Sequence, residues 1–371
     1  MATTSASATK PDPRQLEAAR GGDQDAFGRI VEPYRGELQA HCYRMLGSLH
    51  DAEDALQDAL LRAWRALSKL EEGKSLRAWL YKIATNACLD AIGRRPKRVL
   101  PVDYGPAADP HDGPGEPVVE SVWVEPFPDE MLALEDGPPG PEARYEQREG
   151  VELAFIAALQ HLPANQRAVL ILREVLGFSA REVAESLETT TASVNSALQR
   201  ARAAVEQRTP EQTQQATLRS LGDEGVRELV TTYADAWERG DVDTVVSLLA
   251  EDATFAMPPL ASWFGGRDEI ATFLAGSPLS GQWHWRQVET RANGQVALAF
   301  YSWDPDENAY MPFALNVLTL RGKQIGDVTA FITRATPVPD REVVARMPEH
   351  PPDPEQMMAA FGRFDLPERL S

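Results

Sequence analysis

Residues 51–98 read DAEDALQDALLRAWRALSKLEEGKSLRAWLYKIATNACLDAIGRRPKR, and the rest of the chain is interpreted outward from them. Ala52, Leu56, Ala59, Leu60, Ala63, Trp64 and Leu67 recur every three or four residues, which predicts a helix with one apolar stripe. Asp51, Glu53, Asp54, Gln57, Asp58 and Arg62 fall on its other face, with acids gathered at the start, where the helix dipole favours them. A second helix is predicted from Ser75, a capping residue, to Gly93, with Pro96 directly beyond the basic pair Arg94 and Arg95. At 100° per residue Leu76, Trp79, Leu80, Ile83, Ala87 and Ala91 share one side, leaving Lys82, Thr85 and Asn86 facing outward. Taken alone, this is a helical hairpin in which Trp79 is a core residue sooner than a platform for a base.

DAEDALQDALLRAWR and SLRAWLYKIATNACLD together resemble region 2 of sigma-70 factors of the extracytoplasmic-function (ECF) type. That resemblance implies that the acidic helix grips core RNA polymerase, through Asp51, Asp54, Gln57, Asp58 and Leu61. It implies that the second helix opens the minus-10 promoter element. Arg77, Trp79 and Tyr81 would offer planes for unstacked bases, and Lys82, Asn86, Arg94 and Arg95 donors for phosphates and base edges.

The 371 residues suffice for two or three domains, and a composition 43% apolar and 25% charged is that of an ordinary globular chain. No run of eighteen apolar residues occurs, and MATTSASATK lacks the apolar centre of a signal peptide, so a cytoplasmic protein without a membrane span is expected. Cys42 and Cys88 stand in helical apolar patterns without a CxxC pair, which argues for buried thiols over zinc or a disulfide scaffold. Neither a metal nor a cofactor is expected. The net charge of −19 opposes nucleic-acid binding only on average. Between residues 101 and 150 thirteen acids face only Arg144 and Arg148, so most of the imbalance sits in one segment, and the helical stretch before it is mildly basic.

In chain order, residues 1–22 are Ser, Thr, Ala and Pro rich and are expected to be disordered. Residues 23–98 form a helical bundle, in which Phe27, Ile30, Val31, Tyr34, Leu38, Cys42, Met45 and Leu46 keep helical spacing and Pro33 is expected to kink or divide the helix. Residues 99–143 read as an extended acidic linker of Pro and Gly. As a flexible coil of about 50 residues it would span roughly 40 Å. The resemblance implies a path through the polymerase near the RNA, against the plainer reading of a solvated spacer. Within it ESVWVEPFPDEML is too apolar for a free linker and is expected to dock on a neighbouring domain.

Residues 144–208 contain a helix-turn-helix pattern. Ser179 with Glu182 forms a capping box, and Val183, Ala184 and Leu187 point inward. Thr190 caps a second helix whose inward side is Val194, Leu198, Ala201 and Val205. Its outward residues Ser193, Asn195, Ser196, Gln199, Arg200 and Arg202 have the chemistry to read base edges and phosphates along a major groove. SAREVAESL and SVNSALQRAR resemble sigma region 4, implying contact with the minus-35 element. The family more often has basic residues where Asn195 and Ala197 stand, which implies weaker anchoring.

Beyond a polar stretch at 209–221, residues 222–335 show two helical stripes followed by strand-like runs at 254–257, 283–290, 295–303, 312–321 and 324–334. Asn293-Gly294 marks a hairpin, and the order predicts an α+β domain of helices then antiparallel strands. LVTTYADAWERGDVDTVVSLLAEDATFAMPP with FGGRDEIATFL resembles the SnoaL-like cone fold, whose relatives include polyketide cyclases and catalytically idle binding or regulatory modules. Five of the eight tryptophans lie here, so an aromatic cavity able to take a small-molecule ligand is expected. His284, Asp252 and Asp304 are the candidate acid or base groups. No catalytic role is expected, since His284 alternates with Trp283 and Trp285 across the strand. Residues 336–371 form a Pro-rich tail whose Phe361, Phe364, Leu366 and Leu370 suggest a docked clamp.

The expected fold class is thus multidomain: two all-α sigma domains, a helical bundle and a helix-turn-helix, plus a C-terminal α+β SnoaL-like cone acting as a fused regulator. Core RNA polymerase and promoter DNA are the expected partners, and a membrane is not. The rival reading is a stand-alone helix-turn-helix regulator with a ligand-sensing cone.

Overall fold

The computed structural model describes residues 12–70, 74–115, 118, 122–132, 147–333 and 361–371. The chain divides into two compact units, residues 1–98 with 130–211 and residues 99–129 with 212–371.

The first unit is all-helical. Helix α1 spans Pro13–Arg20, so part of the stretch expected to be disordered is ordered, with Asp12 as its cap and Arg20 donating to the Leu70 carbonyl. Helix α2 (Gln24–Leu46) is capped by Asp23, whose carboxylate accepts the Ala26 N–H at 3.0 Å. Pro33 lies inside α2 without ending it. Gly47 closes the helix in the left-handed conformation (φ 70°), and a Cβ there would lie 2.9 Å from the Gln160 side chain, so glycine is required twice over. Helices α3 (Leu49–Ala66) and α4 (Leu76–Ile92) follow, capped by Ser48 and Ser75. The α3 stripe is largely buried; on α4 Leu76, Leu80 and Ala87 are buried, but Trp79, Ile83 and Ala91 are only partly so, and Tyr81, Ala84, Thr85 and Cys88 point inward too.

The same unit continues with α5 (Leu153–Gln160) and α6 (Ala164–Leu170), the latter extended by a π-helical turn Ile171–Val175. The helix-turn-helix is α7 (Ala180–Ser186) and α8 (Thr191–Glu206). The capping box is present, with Ser179 N–H on Glu182 at 2.8 Å and Glu182 N–H on Ser179 at 3.2 Å. Arg44 and Arg167, both buried, fasten its two halves. Arg44 Nε donates to the Gly150 carbonyl at 2.8 Å, and Arg167 donates to the carbonyls of Met45, Gln160 and Leu162.

The second unit holds α9 (Gln214–Arg239), α10 (Val242–Ser247), α11 (Arg267–Gly276) and one six-stranded sheet. The strands are β1 (Leu249–Ala256), β2 (Trp263–Gly265), β3 (Trp285–Ala292), β4 (Gln295–Asp304), β5 (Ala309–Arg321) and β6 (Gln324–Ile332), in the order β2-β1-β6-β5-β4-β3. Asn293 and Gly294, both at positive φ, make the two-residue turn between β3 and β4. The sheet is mixed, because β1 pairs parallel with β6; purely antiparallel strands were expected, and β2 was not foreseen. The stretch 209–221 is not a polar connector. It begins α9, which bends at Gly222 (φ 69°), and buried Gln214 both donates to the Leu320 carbonyl (3.0 Å) and accepts the Leu320 N–H (2.7 Å).

Residues 99–129 belong to this unit and do not run as a free linker. Ala108 N–H donates to Trp263 O at 2.9 Å, Trp263 Nε1 to Gly105 O at 2.9 Å and Val118 N–H to Pro259 O at 2.9 Å. Phe127 is fully buried and exchanges hydrogen bonds with Asn293. The apolar segment thus docks, as its composition predicts. The C-terminal residues also dock: Phe361 packs edge-on against Tyr301 at 5.2 Å, and Leu370 bridges to Tyr310. The tail from 336 to 360 lies outside the described residues, as do 133–143 of the linker and 144–146 of the stretch that follows it.

Candidate nucleic-acid interface

Helix α4 carries most of the expected minus-10 residues, and α2 beside it decides their surroundings. Glu37 of α2 accepts from Tyr81 Oη at 2.9 Å and from Arg77 Nε at 3.3 Å, and one turn on His41 meets Thr85 at 2.9 Å. Tyr81 is 1% exposed, with its ring edge-on to His41 (5.2 Å) and Phe178 (5.4 Å). In this conformation it offers no face to a base, contrary to the sequence expectation; its hydroxyl follows the Glu37 carboxylate inward. Burial holds the Tyr81 phenol well above its usual range, with Glu37 adding to the effect. Burial also drives His41 down to about 3, aided by the Arg44 and Arg77 charges, so its ring is neutral.

Arg77 is half-buried, and its guanidinium lies 4.9 Å from the Tyr81 ring centroid and 5.0 Å from that of Phe178. Lys82 reaches Glu188 of the α7–α8 turn at 3.2 Å. Trp79 and Asn86 are partly exposed, and Arg94 is exposed. Thus the helix-turn-helix half occupies part of the side of α4 that sequence reasoning assigns to DNA. Neither Phe178 nor Glu188 was singled out from the sequence, since nothing local ties either to a segment about a hundred positions away.

On α3, Asp54, Gln57 and Asp58 are exposed and Leu61 is 49% exposed, a large apolar side chain left in solvent. Gln57 and Leu61 line a groove of about 600 Å³ between α2 and α3, floored by Phe27, Val31, Leu56, Leu60 and Trp64. Asp58 is paired with Arg62 at 2.6 Å. Asp51, also expected on this face, is 4% exposed and receives both Arg95 and Arg98. Sited at the first turn of α3, it satisfies two guanidinium groups and is turned away from any partner surface. Arg95 also approaches Asp54 at 3.4 Å, so the basic knot is tied to the start of the acidic helix.

Along α8 the six outward residues Ser193, Asn195, Ser196, Gln199, Arg200 and Arg202 are all exposed, while Val194, Leu198, Ala201 and Val205 are buried. Arg202 pairs with Glu174 at 2.6 Å.

Inside the cone, Trp237, Phe255, Trp285 and Phe300 form a continuous aromatic cluster. The three titratable candidates do not converge there. Asp252 is exposed and paired with Arg321, His284 is exposed, and Asp304 turns back on the N–H groups of Asp306 and Glu307. Tyr233 and Asn316 are among the buried polar groups of the cone, with the Trp237 indole beside the Tyr233 hydroxyl.

No helix of the described residues is long and apolar enough to cross a membrane. Residues 30–98 match the Sigma-70 region 2 family, 152–205 the Sigma-70 region 4 family and 230–335 the SnoaL-like domain family. The ECF RNA polymerase sigma factor SigG of Mycobacterium tuberculosis is 42% identical over 323 residues, covering 86% of this chain and 84% of that protein. The ECF RNA polymerase sigma-E factor of Escherichia coli is 29% identical over 194 residues, 52% of this chain and 90% of its own length. Among solved structures, the ECF sigma factor SigJ of Mycobacterium tuberculosis superposes with a TM-score of 0.51 at 23% identity, covering 81% of this chain and 95% of SigJ, a likeness of fold. Nothing in these matches favours a stand-alone regulator. Two sigma regions in order, a SnoaL-like domain behind them and a relative alike over most of both chains place this protein in the ECF family of RNA polymerase sigma factors.

Proposed function

We propose that this sigma factor meets core RNA polymerase through the exposed side of α3, where Gln57 and Leu61 line the apolar groove and Asp54 and Asp58 stand exposed on the same helix. Trp79, Asn86 and Arg94, joined by Arg77, Lys82 and Arg95 once these are released, engage the minus-10 element, and the exposed face of α8 reads the minus-35 element. Asp51 and Tyr81 take positioning roles, one anchoring the basic knot and the other orienting Glu37 and Arg77. The second unit acts as an intramolecular regulator, because residues 99–129, which join the two sigma regions, are hydrogen-bonded along it and their reach is thereby restricted.

One observation carries this reading: Arg77 lies between the rings of Tyr81 and Phe178, so α4 rests against the helix-turn-helix half of its own unit. The described conformation is then a resting one, and promoter opening requires α4 to part from Phe178. Single-round transcription with core polymerase tests it. Phe178→Leu, which removes a cation–π contact of about 1 kcal/mol, should raise initiation about fivefold. Unchanged or lower initiation by a folded Phe178→Leu protein would overturn the resting-state reading.

A further inference from the structure

The two cysteines of this chain, 46 positions apart, meet in its interior. Helices α2 and α4 lie side by side with partners ascending together, Glu37 with Tyr81 and His41 with Thr85. One residue past His41 and three past Thr85, Cys42 and Cys88 meet, both at 0% exposure, with their thiols within hydrogen-bonding reach. Arg167, reaching in from α6 and held by the Met45 and Gln160 carbonyls, places its guanidinium charge toward Cys88.

From this juxtaposition we propose that Cys42 and Cys88 are a redox-sensitive pair, which a hydroperoxide closes into an intramolecular disulfide between α2 and α4. One thiolate attacks the peroxide: an S–O bond forms, the O–O bond breaks, and the leaving hydroxide takes a proton to become water. The second thiolate then displaces hydroxide from the sulfenic sulfur, forming the S–S bond and a second water. Two thiols and one hydrogen peroxide give one disulfide and two waters.

Burial, followed by the Cys42 hydrogen bond, pushes the Cys88 thiol well up, while the Arg167 charge pulls the other way. The closed interior therefore protects the pair, and oxidation proceeds through openings of the joint that Arg167 fastens. Once formed, the bond holds the sulfurs at about 2.05 Å. A close-packed core absorbs that contraction only by shifting α4 against α2. Because α4 carries Arg77 and Lys82, the shift acts on the minus-10 face; this consequence rests on the function proposed above.

Thiol counting on reduced full-length protein tests the chemistry. After graded hydrogen peroxide the protein is denatured and alkylated with iodoacetamide, with and without prior dithiothreitol. Both thiols should be lost together, return with dithiothreitol, and appear as one linked peptide pair. Thiols that stay alkylatable, are lost singly or irreversibly, or join two chains would overturn the proposal. Transcription with core polymerase then reads the consequence: oxidised wild type should lose activity about fivefold and recover on reduction, whereas peroxide should leave Cys42→Ala unaffected. A disulfide that forms without changing transcription overturns the switch but leaves the sigma assignment standing. Should Cys42→Ala fail to fold, the wild-type thiol count decides alone.

Discussion

Arg77 sits 5.0 Å from the ring centroid of Phe178, a residue 101 positions later in the chain, and this one stack joins the expected promoter-opening helix to the helix-turn-helix half. Its strength is measurable by a double-mutant cycle of Arg77→Met and Phe178→Leu. The coupling should be about 0.5–1.5 kcal/mol in urea denaturation of the full chain. Additive effects would mean that the stack is geometry without energy.

Leu61 is the largest exposed apolar residue of α3, beside a groove floored by Phe27 and Trp64. Replacing it with Asp changes a solvated position, so the fold should stand within about 0.5 kcal/mol. Affinity for core polymerase should fall about tenfold or more, as expected for an apolar anchor at an interface. Fluorescence anisotropy with labelled sigma factor checks this, and an unchanged affinity would move the polymerase contact off this face.

Asp51 answers for two guanidinium groups, Arg95 and nearly buried Arg98. Asp51→Asn removes the carboxylate that receives nearly buried Arg98, a loss of about 3–5 kcal/mol for a fully buried pair and less here, because Arg95 is partly in solvent. Asp54→Asn, exposed on the same helix, should cost under about 1 kcal/mol. Equal effects of the two substitutions in a urea series would refute the anchoring role.

His41 makes the first unit acid-sensitive. Its folded pKa is depressed to about 3, so the folded ring stays neutral while the unfolded ring takes up a proton below about 6.5. This contribution is therefore fully present above pH 6.5 and is lost as pH falls from there toward 3. At pH 5 the loss amounts to about 2 kcal/mol. Between pH 7.5 and 5.0 wild type should lose about that much more stability than His41→Gln, read by hydrogen exchange in α2 and α4. Parallel losses would show that the ring titrates normally.

What the sequence revealed and what it hid divide along physical lines. The stripe of α3, the Ser179–Glu182 box and the Asn293-Gly294 turn are local, and all three are found where periodicity and turn chemistry put them. His41, Arg44 and Thr85 occupy interior helix positions as polar residues, and a polar residue reads as surface until its partner from another segment is known. The same holds for Gln214, whose hydrogen bonds to Leu320 span 106 positions. The parallel pairing of β1 with β6 is likewise non-local, and no local pattern distinguishes it from a hairpin. Asp51 and Tyr81 were read as facing outward and are buried, because helical phase places a residue on a face without saying whether another segment covers that face.

Ahead of its apolar stretch, the segment 99–129 was read as a spacer because Pro, Gly and acids dominate it, yet Ala108 and Val118 are held there by backbone hydrogen bonds, which composition does not report. Phe127 is its firmest side-chain anchor: it is fully buried, its N–H donates to Asn293 Oδ1 at 2.9 Å and its carbonyl accepts the Asn293 N–H at 2.8 Å. Two residues on, Asp129 accepts the Gly294 N–H at 2.7 Å, so the strap grips the β3–β4 turn from both backbone and side chain. Phe127 lies outside the aromatic core of the cone, so Phe127→Ala should release the strap while the sheet stays folded. Glutamyl endopeptidase, for which Glu116, Glu120 and Glu125 supply sites, should then cut within the segment roughly tenfold faster or more, since cleavage follows the population of the opened state. The released variant should also change promoter-specific transcription, because the connection between the two sigma regions is freed. Cleavage at the wild-type rate would show that the segment is held without Phe127. Faster cleavage with unaltered transcription would separate docking from regulation and remove the second unit from the control of initiation.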